Sequence, residues 1–176
     1  TGSLWSKDVL EYKNSIQKIK PNQPYYMTND IPANILGKIR YKISRIIYKV
    51  KFSGNIYDFS VGCKKQLFNV FDNHVKEGYN NIIVSAAPFY MAYYASQYRK
   101  KHPAINLILD FRDPWTTNKM GYWFKDMSPK RQKVEITIEK DTVSNADVVY
   151  TVNETMTSFF RSIAPSEVIV KTIRNG

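Results

Sequence analysis

From Asn81 onward the chain alternates short apolar runs with stretches of helical pattern, and this alternation restricts the fold more than any other feature of the sequence. Such a rhythm predicts parallel strands joined by crossover helices, an α/β architecture. Asn81-Ile82-Ile83-Val84-Ser85 reads as a buried strand, because a β-branched run gives way to small residues and then to Pro88. Pro88 suits a first helical turn, where a missing N–H is no loss, so a helix is predicted from Pro88 to Lys101, closed by His102-Pro103. Ile105 to Leu109 is the second predicted strand, and it runs into Asp110-Phe111-Arg112-Asp113-Pro114-Trp115. Pro114 forbids simple continuation, so this hexad is expected to cap the strand. Ser128-Pro129 supplies an N-cap and first-turn pair for a helix reaching Asn145. Asp147 to Val152 is a third strand, Asn153 caps a helix from Glu154 to Ser162, and Val168 to Ile173 is a fourth strand. Earlier in the chain, Lys7 to Lys20 reads as a helix stopped by Pro21, and Asn22 to Pro32 as loop.

The 176 residues fit one domain with a real core. Cys63 is the single cysteine, which excludes an internal disulfide, suits a reducing cytosol and reads as a small buried hydrophobe. No apolar run reaches the ~20 residues that span a bilayer. The formal charge of +11 favours an anionic partner: nucleic acid, a membrane surface or a phosphorylated substrate. Neither a Gly-x-Gly-x-x-Gly nor a Walker loop is present, which argues against an autonomous dinucleotide or ATP site.

Between Lys38 and Lys51 the spacing is that of an amphipathic helix. Ile39, Ile43, Ile46, Ile47 and Val50 gather on one side, while Lys38, Lys42, Arg45 and Lys49 gather on a second, with Tyr41 and Tyr48 at the border. A basic stripe beside an apolar face suits a helix lying in an anionic membrane interface. The same spacing also suits a surface helix whose isoleucines pack on the sheet while its lysines are solvated. A nucleic-acid track is a third reading, but no RNP-type strand, KH-type loop or zinc spacing supports it.

In an open parallel sheet the ligand crevice lies beyond the carboxyl ends of the strands. After the first strand, Ser85-Ala86-Ala87-Pro88-Phe89 offers small residues and the amides of a helix N-terminus. After the second, the hexad concentrates two carboxylates, a guanidinium and an indole, a set suited to a polyhydroxylated ligand. The plainer reading of the hexad is an Asp/Arg ion pair locking a turn, with Trp115 filling a gap in the core. His74 and His102 lie in polar surroundings and are expected to be exposed, so a Ser-His-Asp or Cys-His centre has little support.

The run Ile82-Ile83-Val84-Ser85-Ala86-Ala87-Pro88, followed by a helix and then Asp110-Phe111-Arg112-Asp113-Pro114-Trp115-Thr116, resembles the N-terminal domain of the family 4 type of GT-B glycosyltransferases. Glu139, the strand Ala146 to Val152 and the closing Ile173-Arg174-Asn175-Gly176 are similar to later motifs of that family, so the resemblance spans roughly residues 79–176. Ala87 stands where the family has the first proline of a pair, and Thr1-Gly2-Ser3 onward lacks its opening strand and glycine-rich loop. The resemblance implies a Rossmann-like parallel sheet flanked by helices, the acceptor-side half of a GT-B fold. A donor-binding domain would follow Gly176, and residues 1–176 alone would be inactive. It further implies retaining transfer from a nucleotide-sugar to a saccharide or lipid-linked acceptor in surface polysaccharide or glycolipid assembly. No cofactor and no metal are expected. The implied location is cytoplasmic, with a peripheral seat on the inner face of the cell membrane. A non-catalytic Rossmann-like domain docking on an anionic membrane or partner is the alternative, and a nucleic-acid partner is not expected. By position, Asp113 is the implied catalytic residue, orienting the acceptor hydroxyl or taking its proton. Arg112 is implied to pair with a carboxylate or phosphate, and Trp115 to stack on a sugar ring. Ser85, Ala86 and Pro88 are implied to line the substrate site, while Asp110 is structural and Glu139 packs behind the cleft.

Overall fold

The structure, a computed structural model, describes residues 32–51, 58–118 and 122–174. The helix expected at Lys7 to Lys20, the loop from Asn22 and the closing Asn175-Gly176 lie outside these residues. Helix α1 spans Ile35–Lys51, and a 3-10 turn, Phe59–Cys63, leads into α2, Lys64–Lys76. There follow β1 (Asn81–Ala86), α3 (Phe89–Lys101), β2 (Asn106–Phe111), the short α4 (Tyr122–Lys125), α5 (Pro129–Ser144), β3 (Val148–Thr151), α6 (Glu154–Ile163) and β4 (Ile169–Thr172).

All four strands are parallel and stand side by side in the order β1-β2-β3-β4. The chain is therefore α/β with a Rossmann-like sheet. Successive crossovers in one direction, each right-handed as this connection almost always is, place their helices on the same face. The packing agrees: α3 lies on β1 and β2, α6 on β3 and β4, and α5 bridges the two helices. That face is the core, with Val84, Leu109, Val149 and Val170 in register across the four strands and Leu107, Phe111 and Phe160 buried beside them. On the opposite face the register row Ile83, Ile108, Val148, Ile169 is exposed or half-buried.

Helix ends follow local chemistry. The Ser128 Oγ accepts from the Arg131 N–H at 3.3 Å, with Pro129 in the first turn, and the Asn153 Oδ1 accepts from the Met156 N–H at 2.9 Å. Helix α2 ends at Lys76, and Gly78 closes the turn beyond it. There φ is +94°, a conformation glycine takes readily, and the Gly78 and Tyr79 amides close on the carbonyls of Val75 and His74.

Two expectations change. The second strand runs two residues further than expected, so Asp110 and Phe111 are strand rather than cap. Phe111 pairs opposite Ala86 and drops into the core, and that burial extends the ladder. The isoleucines of α1 do not pack on the sheet: Ile39, Ile43, Ile46, Ile47 and Val50 are all exposed, Ile46 by 64% and Val50 by 78%. No helix among the described residues is long and apolar enough to cross a membrane.

Candidate functional site

The carboxyl edge of the sheet carries most of the residues that the sequence singled out. The register sets Ser85 of β1 opposite Asp110 of β2, Tyr150 of β3 and Lys171 of β4, a polar row on the open face. Neighbouring strands lie about 4.8 Å apart, so Ser85 and Asp110 are adjacent. Just past β2, the Arg112 Nε donates to the Asp110 Oδ2 at 2.8 Å. Arg112 thus has a carboxylate partner, and this ion pair braces the turn. Asp113 follows, exposed at the tip, with no hydrogen-bond partner among the described residues.

Trp115 corrects the expectation of a sugar platform. Its side chain is fully buried, its ring stacked on Phe89 at 5.1 Å and 12°, and its Nε1–H donates to the Glu135 Oε2 at 3.1 Å. Neither ring face is open to a ligand, and burying an indole of this size stabilises the fold by about 2–3 kcal/mol. Ala86 is also fully buried, so only its backbone is available, whereas Ser85 and Ala87 are exposed and Pro88 half-buried. Pro88 sits at the N-cap of α3, after a cis Ala87–Pro88 bond, rather than in the first turn.

The amide end of α3 is not left for an anionic ligand either. Asp58, itself buried, accepts the Tyr90 N–H at 3.0 Å through Oδ2 and the Ser60 N–H at 2.9 Å through Oδ1. A carboxylate at a helix N-terminus satisfies the orphan amides and complements the helix dipole, so it takes the place a phosphate would favour. The sequence carries a local hint of this in Asp58-Phe59-Ser60, an Asx-type pattern, but gives no sign that the same carboxylate reaches a helix beginning at residue 89.

The turn after β2 is fixed from beneath by two carboxylates of α5, four residues apart on its buried side. Glu135 accepts from the Tyr90 hydroxyl at 2.9 Å, from the Arg131 Nε at 3.0 Å and from Trp115; the Arg131 guanidinium also donates to the Tyr90 hydroxyl oxygen. Glu139 meets the Thr116 N–H at 3.3 Å and the Thr116 hydroxyl. Burial pushes the Glu139 carboxyl up to about 7, against the hydrogen bonds from Thr116, which favour the charged form, and with the help of nearby Glu135. Glu139 is therefore a buried support beneath the turn after β2. The i, i+4 spacing of Arg131 and Glu135 is the one sequence signal of this helical ion pair.

His74 and His102 are half-buried rather than exposed: His74 pairs with Glu77 at 3.0 Å, and His102 stacks on Tyr98. Both lie at the amino end of the sheet, near the starts of β1 and β2 and away from Asp113. Among the described residues no cluster of His, Cys, Asp and Glu could hold a metal ion. At the carboxyl edge the braced turn after β2 thus presents the open Asp113 carboxylate beside an ion pair and a serine, able to orient a hydroxylated ligand and take a proton from it. Comparison with family models, with curated proteins and with solved structures finds no match to this chain.

Proposed function

We propose that this chain is the acceptor-side, Rossmann-like half of a retaining GT-B glycosyltransferase. It would serve the transfer of a sugar from a nucleotide-sugar to a saccharide or lipid-linked acceptor, in surface polysaccharide or glycolipid biosynthesis. The observation that carries the reading is the turn Arg112-Asp113-Pro114 at the carboxyl edge of a parallel sheet, braced by Asp110 on one side and by the buried Glu135 and Glu139 on the other. Rigid support around a single exposed carboxylate is what a positioning or proton-accepting role requires. The motif order of the sequence supports the same reading.

On this reading Asp113 orients the acceptor hydroxyl and accepts its proton as the new glycosidic bond forms. Arg112 keeps the turn in shape, and Ser85 and the backbone at Ala86-Ala87 border the acceptor. The nucleotide is held by a further domain of the same protein.

The test is Asp113→Ala in the natural protein, assayed for sugar transfer. Because the side chain is exposed and makes no hydrogen bond within the described residues, the melting temperature stays unchanged, while turnover falls by about a hundredfold or more. Near-normal turnover removes Asp113 from the mechanism. Absence of transfer from any nucleotide-sugar by the wild-type protein leaves a non-catalytic docking domain as the reading.

A further inference from the structure

Helix α1 is built differently from every other helix in the fold. Its 17 residues include six lysines and arginines and no acidic residue. Its one sheltered line, Gly37, Tyr41 and Ser44, is only half-buried. Counting about 100° per residue from Gly37, Ile46, Ile39, Val50, Ile43 and Ile47 fall between about 180° and about 280°, on a different side of the helix from that line. All five side chains of the apolar stripe are exposed. On the same count Lys38, Lys42, Arg45 and Lys49 lie from about 80° to about 140°, and Arg40 near about 300°, so cations border the stripe on both sides.

We propose that α1 is a docking helix for an anionic phospholipid surface, with Ile39, Ile43, Ile46 and Val50 buried among the acyl-chain ends of the headgroup region. The flanking lysines and arginines meet the lipid phosphates. Charge complementarity selects this occupant: cations on both borders of an apolar stripe match a plane with anions above and hydrocarbon beneath. A nucleic-acid backbone would use the cations and leave the isoleucines in water. The inference does not depend on glycosyl transfer, since its readout is binding alone.

The experiment is co-sedimentation of the 176-residue chain with phosphatidylcholine vesicles, with and without phosphatidylglycerol. The wild type is compared with Lys42→Glu/Arg45→Glu/Lys49→Glu and with Ile39→Ser/Ile43→Ser/Ile46→Ser, and the melting temperature of each is recorded. The expected result is binding that needs phosphatidylglycerol and weakens about tenfold or more in both triple variants, with unchanged melting temperatures. Three results overturn the proposal. One is absence of wild-type binding to the anionic vesicles. A second is full binding by the isoleucine variant, which would mean charge adsorption without insertion and point to nucleic acid or an acidic protein. The third is a melting temperature lowered by several degrees in the isoleucine variant, which would place the stripe inside the fold.

Discussion

Glu139 lies almost wholly out of water beneath the turn after β2, and its carboxyl is raised from an ordinary 4.5 to about 7, chiefly by burial. The folded state therefore holds this proton more tightly than the unfolded chain does. The resulting stability is complete below about pH 4.5 and is lost as pH rises through 7, by up to about 3 kcal/mol. In Glu139→Gln the difference from wild type should shrink on that side, so urea melts at pH 5 and pH 8 should lie closer together than in the wild type. Glu135, also buried, faces the Arg131 guanidinium. Glu135→Ala strands that charge and should cost about 3–5 kcal/mol, whereas Glu135→Gln, which keeps the side-chain volume and one acceptor oxygen for either Tyr90 or Trp115, should cost less; equal losses would show that the lost charge rather than the lost packing dominates. At this scale the sequence told part of the story. Asp113 and the Asp110–Arg112 pair could be read from the hexad, because turn chemistry is local. The burial of Trp115 is the plainer of the two readings the hexad allows; the choice between them is not local, because the slot it fills is made by Phe89 and Tyr90, brought alongside only when β1 and β2 pair.

Among the elements, legibility tracked how local each signal was. Four strands and the helices between them emerged from apolar runs and from Pro88, Ser128 and Asn153, whose effects reach no further than the next turn. Asn153→Ala removes the acceptor for the Met156 amide and should cost about 1 kcal/mol. For a chain of this size that lowers the thermal midpoint by about 2–4 °C, measurable by calorimetry. Helix α2 carries a helical spacing in Leu67, Phe68, Phe71 and Val75, and that face meets α3, with Phe68 and Phe71 against Tyr98 and Leu67 buried. The strand end at Phe111 is not local: the proline two residues beyond Arg112 marks where a strand must stop, but cross-strand pairing decides how close to it the ladder extends.

Over the whole molecule, the charge and the open sheet face are the properties that composition alone describes least. The net +11 and the basic stripe of α1 beside its apolar face are legible in the sequence, whereas the exposure of that face required the structure. Protection in the sheet should be graded. Strands β2 and β3, hydrogen-bonded on both sides, should hold the slowest-exchanging amides, and the amides of β1 that point away from β2 should exchange fastest, as read by hydrogen exchange with mass spectrometry. Uniform protection across β1 would show that its outer edge is covered.

That outer edge also gives the fold a direction. Each strand is laid beside the one before it, so β1 is paired only with β2, and no strand lies beyond it among the described residues. A further strand could join there without displacing a single hydrogen bond already made. In architectural terms β1, like β4 at the other edge, is an extension point, a side on which a sheet of this kind can be widened while its core stays as it is.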